Sequence, residues 1–211
     1  MKTLFPVLIS LLIVASCNGQ KQKSPEYDPR LIGNCEGCEA VFEYGDRFLS
    51  SVDTLPDFNE KGQKIKVSGT IYEPDGKTPA EDVIMYVYHT NQEGLYKPKK
   101  DSEGWARKHG YIRGWMKTGK DGRYEFYTLR PAAYPSRSEP AHIHPIILEP
   151  DGRYYWLEGY FFDDDPLLTK NELNPSNPRG GSNGVLNLKK QGDLWVGERD
   201  FILGKNIEGY E

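Results

Sequence analysis

Ile65-Lys66-Val67-Ser68-Gly69-Thr70-Ile71-Tyr72-Glu73-Pro74-Asp75-Gly76 is a run rich in β-branched and aromatic residues that closes on an Asp-Gly turn. Branching at Cβ suits a pleated strand, and Asp-Gly supplies the chain reversal that leads to the next one. The same grammar recurs along the chain. Val83 to Thr90, Tyr124 to Leu129, His142 to Leu148, Tyr154 to Phe162 and Trp195 to Leu203 read as further strands. Lys120-Asp121-Gly122 and Pro150-Asp151-Gly152 punctuate them, and Gly180-Gly181-Ser182 breaks a long loop. Helical periodicity is confined to Glu39 to Asp46, with a turn near Leu167 to Asn171. The sequence therefore predicts an all-β chain, its body a β-sandwich preceded by a short N-terminal arm.

Outward of that body, Met1-Lys2-Thr3 and the apolar run from Leu4 to Ala15 have the form of a secretory signal, too short to span a bilayer. Val14-Ala15-Ser16-Cys17 resembles a bacterial lipobox, in which Cys17 is lipidated and becomes the first mature residue; the alternative is an ordinary cleaved signal with a chance cysteine. Acyl chains on Cys17 would tether a soluble domain, each buried methylene contributing about 0.8 kcal/mol. The expected division is residues 1–17 as signal and lipobox, 18–30 as a flexible tether too polar to offset its ordering entropy, 31–63 as the arm, and 64–211 as the sandwich. The expected location is extracytoplasmic and membrane-anchored, facing the periplasm or the cell surface.

Cys35-Glu36-Gly37-Cys38 lies in the arm. Export to an oxidising compartment makes a short-loop Cys35–Cys38 disulfide the leading reading. A redox pair and a metal site are the alternatives; Glu39 follows the second cysteine, so the haem-attachment pattern is absent. With 27 basic and 31 acidic residues and no basic stripe, nucleic-acid binding is disfavoured. Asp163-Asp164-Asp165 reads as a solvated loop, with a hard-cation site as the alternative.

The chemistry concentrates in Tyr134-Pro135-Ser136-Arg137-Ser138-Glu139-Pro140-Ala141-His142-Ile143-His144. Side chains two apart on a strand share a face, so His142 and His144 can converge on one ion while Ile143 points to the opposite layer; a solvent-facing surface pair is the alternative. The chain has four histidines, and half of them sit here. Tyr96, in Gly94-Leu95-Tyr96 after a strand-like run, is the second tyrosine of interest.

Taken in order, Val67-Ser68-Gly69-Thr70-Ile71, Gly94-Leu95-Tyr96, Arg113-Gly114-Trp115, Asp121-Gly122-Arg123-Tyr124-Glu125-Phe126, Thr128-Leu129-Arg130-Pro131, Tyr134-Pro135 and Pro140-Ala141-His142-Ile143-His144 resemble the intradiol ring-cleavage dioxygenases, from about Lys64 to about Leu203. The resemblance implies their sandwich, and a non-haem Fe(III) ion bound by Tyr96, Tyr134, His142 and His144. Free tyrosine has a pKa of about 10, so two phenolates near neutral pH call for a strongly Lewis-acidic cation. The resemblance further implies a catechol-type diol and O2 as partners, and a cis,cis-muconate product. Tyr134 then matches the ligand that substrate displaces, free to help accept its protons.

Departures from the pattern are specific. Family members carry an arginine three residues before the first ligand histidine; here that residue is Glu139, with Arg137 as a candidate substitute for its charge stabilisation. Glu158 loosely matches a family glutamine lining the substrate pocket, and Pro145 stands where an aromatic is common. Two function classes follow: a ring-cleaving dioxygenase, or a non-catalytic lipoprotein binding module on the same sandwich, with or without iron.

Overall fold

In the computed structural model, residues 28–211 are described. The signal, the lipobox with Cys17 and most of the tether lie outside the described residues. The elements in chain order are β1 (Arg30–Leu31), a 3-10 turn (Cys38–Phe42), β2 (Val52–Thr54), β3 (Lys64–Tyr72), β4 (Ile84–His89) and α1 (Ala106–His109). They continue as β5 (Arg113–Lys117), β6 (Arg123–Leu129), β7 (Ile143–Leu148), β8 (Arg153–Trp156), β9 (Phe161–Phe162) and α2 (Lys170–Leu173). The last are β10 (Val185–Leu186), β11 (Lys189–Gln191), β12 (Leu194–Glu198) and β13 (Phe201–Ile202).

Two sheets face each other. One has the order β1-β8-β7-β4-β5, the other β11-β12-β3-β6-β2, with β13 pairing β3. Ile65, Val67, Tyr124 and Phe126 from the second sheet meet Met85, Val87, Ile143 and Ile147 from the first in a shared buried core. The expected sandwich is therefore observed. Glycines of the three Asp-Gly turns, Gly76, Gly122 and Gly152, adopt φ of 67°, 64° and 92°, which suits chain reversal.

β4 is buried on both faces because a second apolar cluster covers its outer side. Tyr86, Trp115, Ile146, Leu148 and Tyr154 pack there against Cys38, Ala40 and Val41 of the arm. The arm thus takes the role of a third layer over one end of the first sheet. Cys35 and Cys38 are joined in a disulfide. Trp115 Nε1 donates to Val41 O at 3.0 Å, which pins the arm to β5.

The differences from expectation have local causes. The helix expected over Glu39 to Asp46 is only the 3-10 turn, started by Gly37 at φ 87°. The single strand expected from Tyr154 to Phe162 breaks after Trp156, where Tyr160 forms an isolated bridge with Ile143. Trp195 to Leu203 divides at Arg199 and Asp200, whose side chains are engaged: Asp200 Oδ1 accepts the Thr70 N–H at 2.7 Å, and Arg199 Nη1 donates to Glu158 O at 2.7 Å. β5 and α1 were not among the expected elements. The three aspartates are used singly: Asp164 pairs with Arg130, Asp163 accepts from Asn187, and Asp165 accepts the Ala141 N–H at 2.8 Å. Among the described residues no group of three or more His, Cys, Asp or Glu forms a cation site.

Candidate metal centre

Two loops bring the tyrosines together. After β4, Asn91 Oδ1 accepts the N–H groups of Glu93 and Leu95 at 2.9 and 3.0 Å, closing a tight turn that presents Tyr96. Gly94 lies in that turn at φ 76°, and a Cβ there would stand 2.1 Å from Ala133 O, so only glycine lets the two loops approach. Thr90 Oγ1 donates to Ala132 O at 2.7 Å, fastening the Tyr96 loop to the one carrying Tyr134.

The histidines arrive from the start of β7. His144 is on the strand and His142 just before it. The Ala141 N–H to Asp165 bond holds their approach. His142 Nδ1 lies 2.7 Å from Pro140 O. A carbonyl only accepts, so the proton sits on Nδ1 and Nε2 presents a lone pair.

The four side chains close a ring. Tyr96 Oη is 3.0 Å from Tyr134 Oη, Tyr134 Oη is 3.2 Å from His142 Nε2, His142 Nε2 is 2.9 Å from His144 Nε2, and His144 Nε2 is 2.8 Å from Tyr96 Oη. Atoms bound about 2.0–2.1 Å from one ion at roughly right-angle to tetrahedral spacing stand about 2.9–3.4 Å apart, so the four edges suit a shared cation. Burial raises the phenols of Tyr96 and Tyr134, and the charge of Glu139 adds to this in both. Burial also drives His144 well below the ordinary imidazole value, keeping it neutral. A neutral His144 beside phenols that resist ionisation unaided fits a highly charged metal ion.

The side chains of the remaining sequence candidates form no hydrogen bond or ion pair with the four donor side chains among the described residues. Arg137 is exposed at φ 52°, its N–H bonded to Tyr134 O at 2.8 Å, and its side chain has no polar partner among the described residues. Glu139 is exposed on the same loop. Glu158 accepts the Arg179 N–H at 3.3 Å, and no contact joins it to the four donors.

A cavity of about 230 Å³ opens beside His144, walled by Asn34, Cys35 and Glu36 of the arm together with Tyr88 and Trp156. That exceeds the ~150 Å³ that accommodates a benzene ring. Sequence reasoning gave Cys35 only as a disulfide partner and missed Tyr88, Asn34 and Glu36 as neighbours of the centre. Tyr88 has only its alternation with Tyr86 as a signal, and the arm contact is long-range.

Fold and donor set together define a class: a β-sandwich with a candidate mononuclear metal centre of two phenols and two imidazoles. Residues 50–179 match the model of the family described as Dioxygenase, and the chain belongs to the intradiol ring-cleavage dioxygenase family. It is 32% identical over 165 residues to catechol 1,2-dioxygenase 1 of Acinetobacter lwoffii, covering 67% of this chain and 51% of that one. To the protocatechuate 3,4-dioxygenase beta chain of Burkholderia cepacia it is 27% identical over 156 residues, covering 67% and 65%. The chain thus spans about half to two thirds of the length of these curated relatives. An intradiol ring-cleavage dioxygenase from Tetranychus urticae shares the fold, with a TM-score of 0.53 at 19% identity over 78% of this chain and 88% of that one.

Proposed function

We propose that this chain is a non-haem Fe(III) dioxygenase that cleaves a catechol-type diol with O2 between its hydroxyl-bearing carbons to a cis,cis-muconate. The observation that carries the reading is the closed ring of Tyr96, Tyr134, His142 and His144 donor atoms, with edges of 2.8 to 3.2 Å. Ferric iron, when bound, supplies the Lewis acidity that holds both phenolates and activates an ionised diol. Tyr96, His142 and His144 keep the ion seated. Tyr134, on the more open loop, takes a proton at Oη from the arriving diol. The cavity beside His144 has the size of a single aromatic ring, with Tyr88 and Trp156 among its walls.

A second reading, a binding module that retains iron without ring cleavage, is favoured by one observation. Glu139 stands at the position of the family arginine, and the neighbouring Arg137 side chain has no polar partner that directs it to the centre. Iron content with a visible spectrum, followed by oxygen uptake and muconate formation across a catechol panel, separates the two. A colourless chain after ferric loading defeats both iron-containing readings; a coloured chain without turnover leaves the binding module.

Export and tethering belong to the same proposal, supported by the lipobox-like Val14-Ala15-Ser16-Cys17. Cys17→Ser should release the chain from the membrane fraction. Equal membrane retention would remove the lipid anchor.

A further inference from the structure

His142 and His144 are held by different means. His142 Nδ1 donates to Pro140 O at 2.7 Å, the kind of bond that fixes the tautomer and ring plane of a metal-binding histidine. His144 uses only Nε2 in its polar contacts, and its Nδ1 has no hydrogen-bond partner among the described residues. Rotation of an imidazole about its outer torsion is soft, so something else must set this ring.

The structure supplies a flat surface for that. Tyr88 is the register partner of His144 across β4 and β7, and the two rings stack with centroids 4.6 Å apart and planes 14° apart. Tyr88 also stacks on His109, at 3.8 Å and 5°. His109 in turn is buried and fixed, its Nδ1 lying 2.9 Å from the Tyr86 hydroxyl. Behind it comes Gly37, between the bonded cysteines. A Cβ at Gly37 would stand 2.6 Å from His109 Nε2, so the disulfide loop presses its bare backbone against that imidazole. The family match begins at residue 50, which leaves this loop a feature of the arm rather than of the matched region.

We infer that Tyr88 is a positioning residue for the candidate ferric centre, a role that rests on that reading of the centre. Its ring holds the His144 imidazole in the plane that aims Nε2 at the other three donors. The Cys35–Cys38 loop keeps Tyr88 there by confining His109. A flat neighbour does for His144 what the Pro140 carbonyl does for His142, with stacking in place of a hydrogen bond.

The test loads the full mature chain and its variants with ferric iron. It reads iron per chain, the tyrosinate-to-iron visible band, and the rate of iron loss to a chelator. Tyr88→Phe preserves the stack and should keep the parent band and rate. Tyr88→Leu should shift the band and lose iron about 10-fold faster or more, the range seen when support behind a metal ligand is removed. His109→Leu should move both readouts in the same direction, with His109→Phe restoring them. A folded Tyr88→Leu chain with the parent band and rate overturns the positioning role and leaves the ferric centre standing. Should Tyr88→Leu not fold, a His109→Leu chain indistinguishable from the parent overturns the inference. A parent that takes up no ferric iron overturns the centre and the role together.

Discussion

His142 Nε2 and His144 Nε2 stand 2.9 Å apart, although the two side chains leave the backbone on either side of Ile143. The His142 proton is committed to the Pro140 carbonyl, so its lone pair faces the position that His144 and the tyrosines also face. Removing one donor opens the ring rather than merely weakening it. Tyr96→Phe and His142→Ala should each reduce bound iron to below about a tenth of the parent after chelator challenge and abolish the visible band. Metal analysis and an absorption spectrum check both; full retention of iron in either variant would contradict the four-donor centre.

Substitutions in the loop between Tyr134 and His142 should separate the proposed iron binding from the proposed turnover. Glu139 places negative charge within reach of both phenols, where the family pattern has a cation. Glu139→Arg should raise kcat/KM for a neutral catechol by about tenfold or more, given that one lost oxyanion-stabilising donor commonly costs 10²–10³ in rate. Arg137→Ala should leave iron unchanged; a fall in kcat alone would show that Arg137 swings in from solvent. Steady-state kinetics alongside iron content decide the pair, and a neutral outcome at both positions removes this loop from the chemistry.

Much of this site was legible because ligand chemistry leaves spacing behind. His142 and His144 are two apart, whereas Tyr96 and Tyr134 stand out only through the ordered motifs of the family resemblance. Tyr88 left no such trace: a stacking residue needs only a flat ring in the right register, and Tyr86 and Tyr88 read alike until β4 pairs with β7. The strands of the sandwich were legible where branched runs met Asp-Gly turns. β5 was not, since Arg113, Gly114 and Lys117 leave only Trp115 and Met116 as its apolar run; a Cβ at Gly114 would stand 2.6 Å from Asp53 Oδ2. α1 spans only Ala106–His109, too short to show a period.

Gly69, in the decisive run of β3, makes the closest approach in the second sheet. A Cβ at that position would lie 1.8 Å from Arg199 O, the carbonyl that also accepts from the buried Tyr124 hydroxyl. The neighbour is backbone and cannot swing away. Gly69→Ala should therefore cost about 2–3 kcal/mol and lower Tm by roughly 5–10 °C. A thermal melt within 1–2 °C of the parent, or about that, would show that β3 and the Arg199 turn separate without strain.

Acid sensitivity should trace in part to His89. The imidazole is 1% exposed; Nδ1 lies 2.7 Å from Thr90 O, and Nε2 lies 2.7 Å from Thr128 Oγ1. The carbonyl requires a proton on Nδ1, which leaves Nε2 to accept from the threonine hydroxyl, and this arrangement exists only for the neutral ring. Burial lowers its pKa to about 4. An unfolded chain titrates this group near 6.5, so between those values it binds a proton that the folded chain does not. Stability is then complete above about pH 6.5 and falls as pH drops toward 4, by on the order of 3 kcal/mol from this group. His109, lowered to about 4 as well, acts in the same direction, so a slope persists when His89 is replaced. His89→Gln, which can still donate to the Thr90 carbonyl, should flatten the dependence of Tm on pH across that window without abolishing it. An unaltered slope would place the acid-labile group elsewhere.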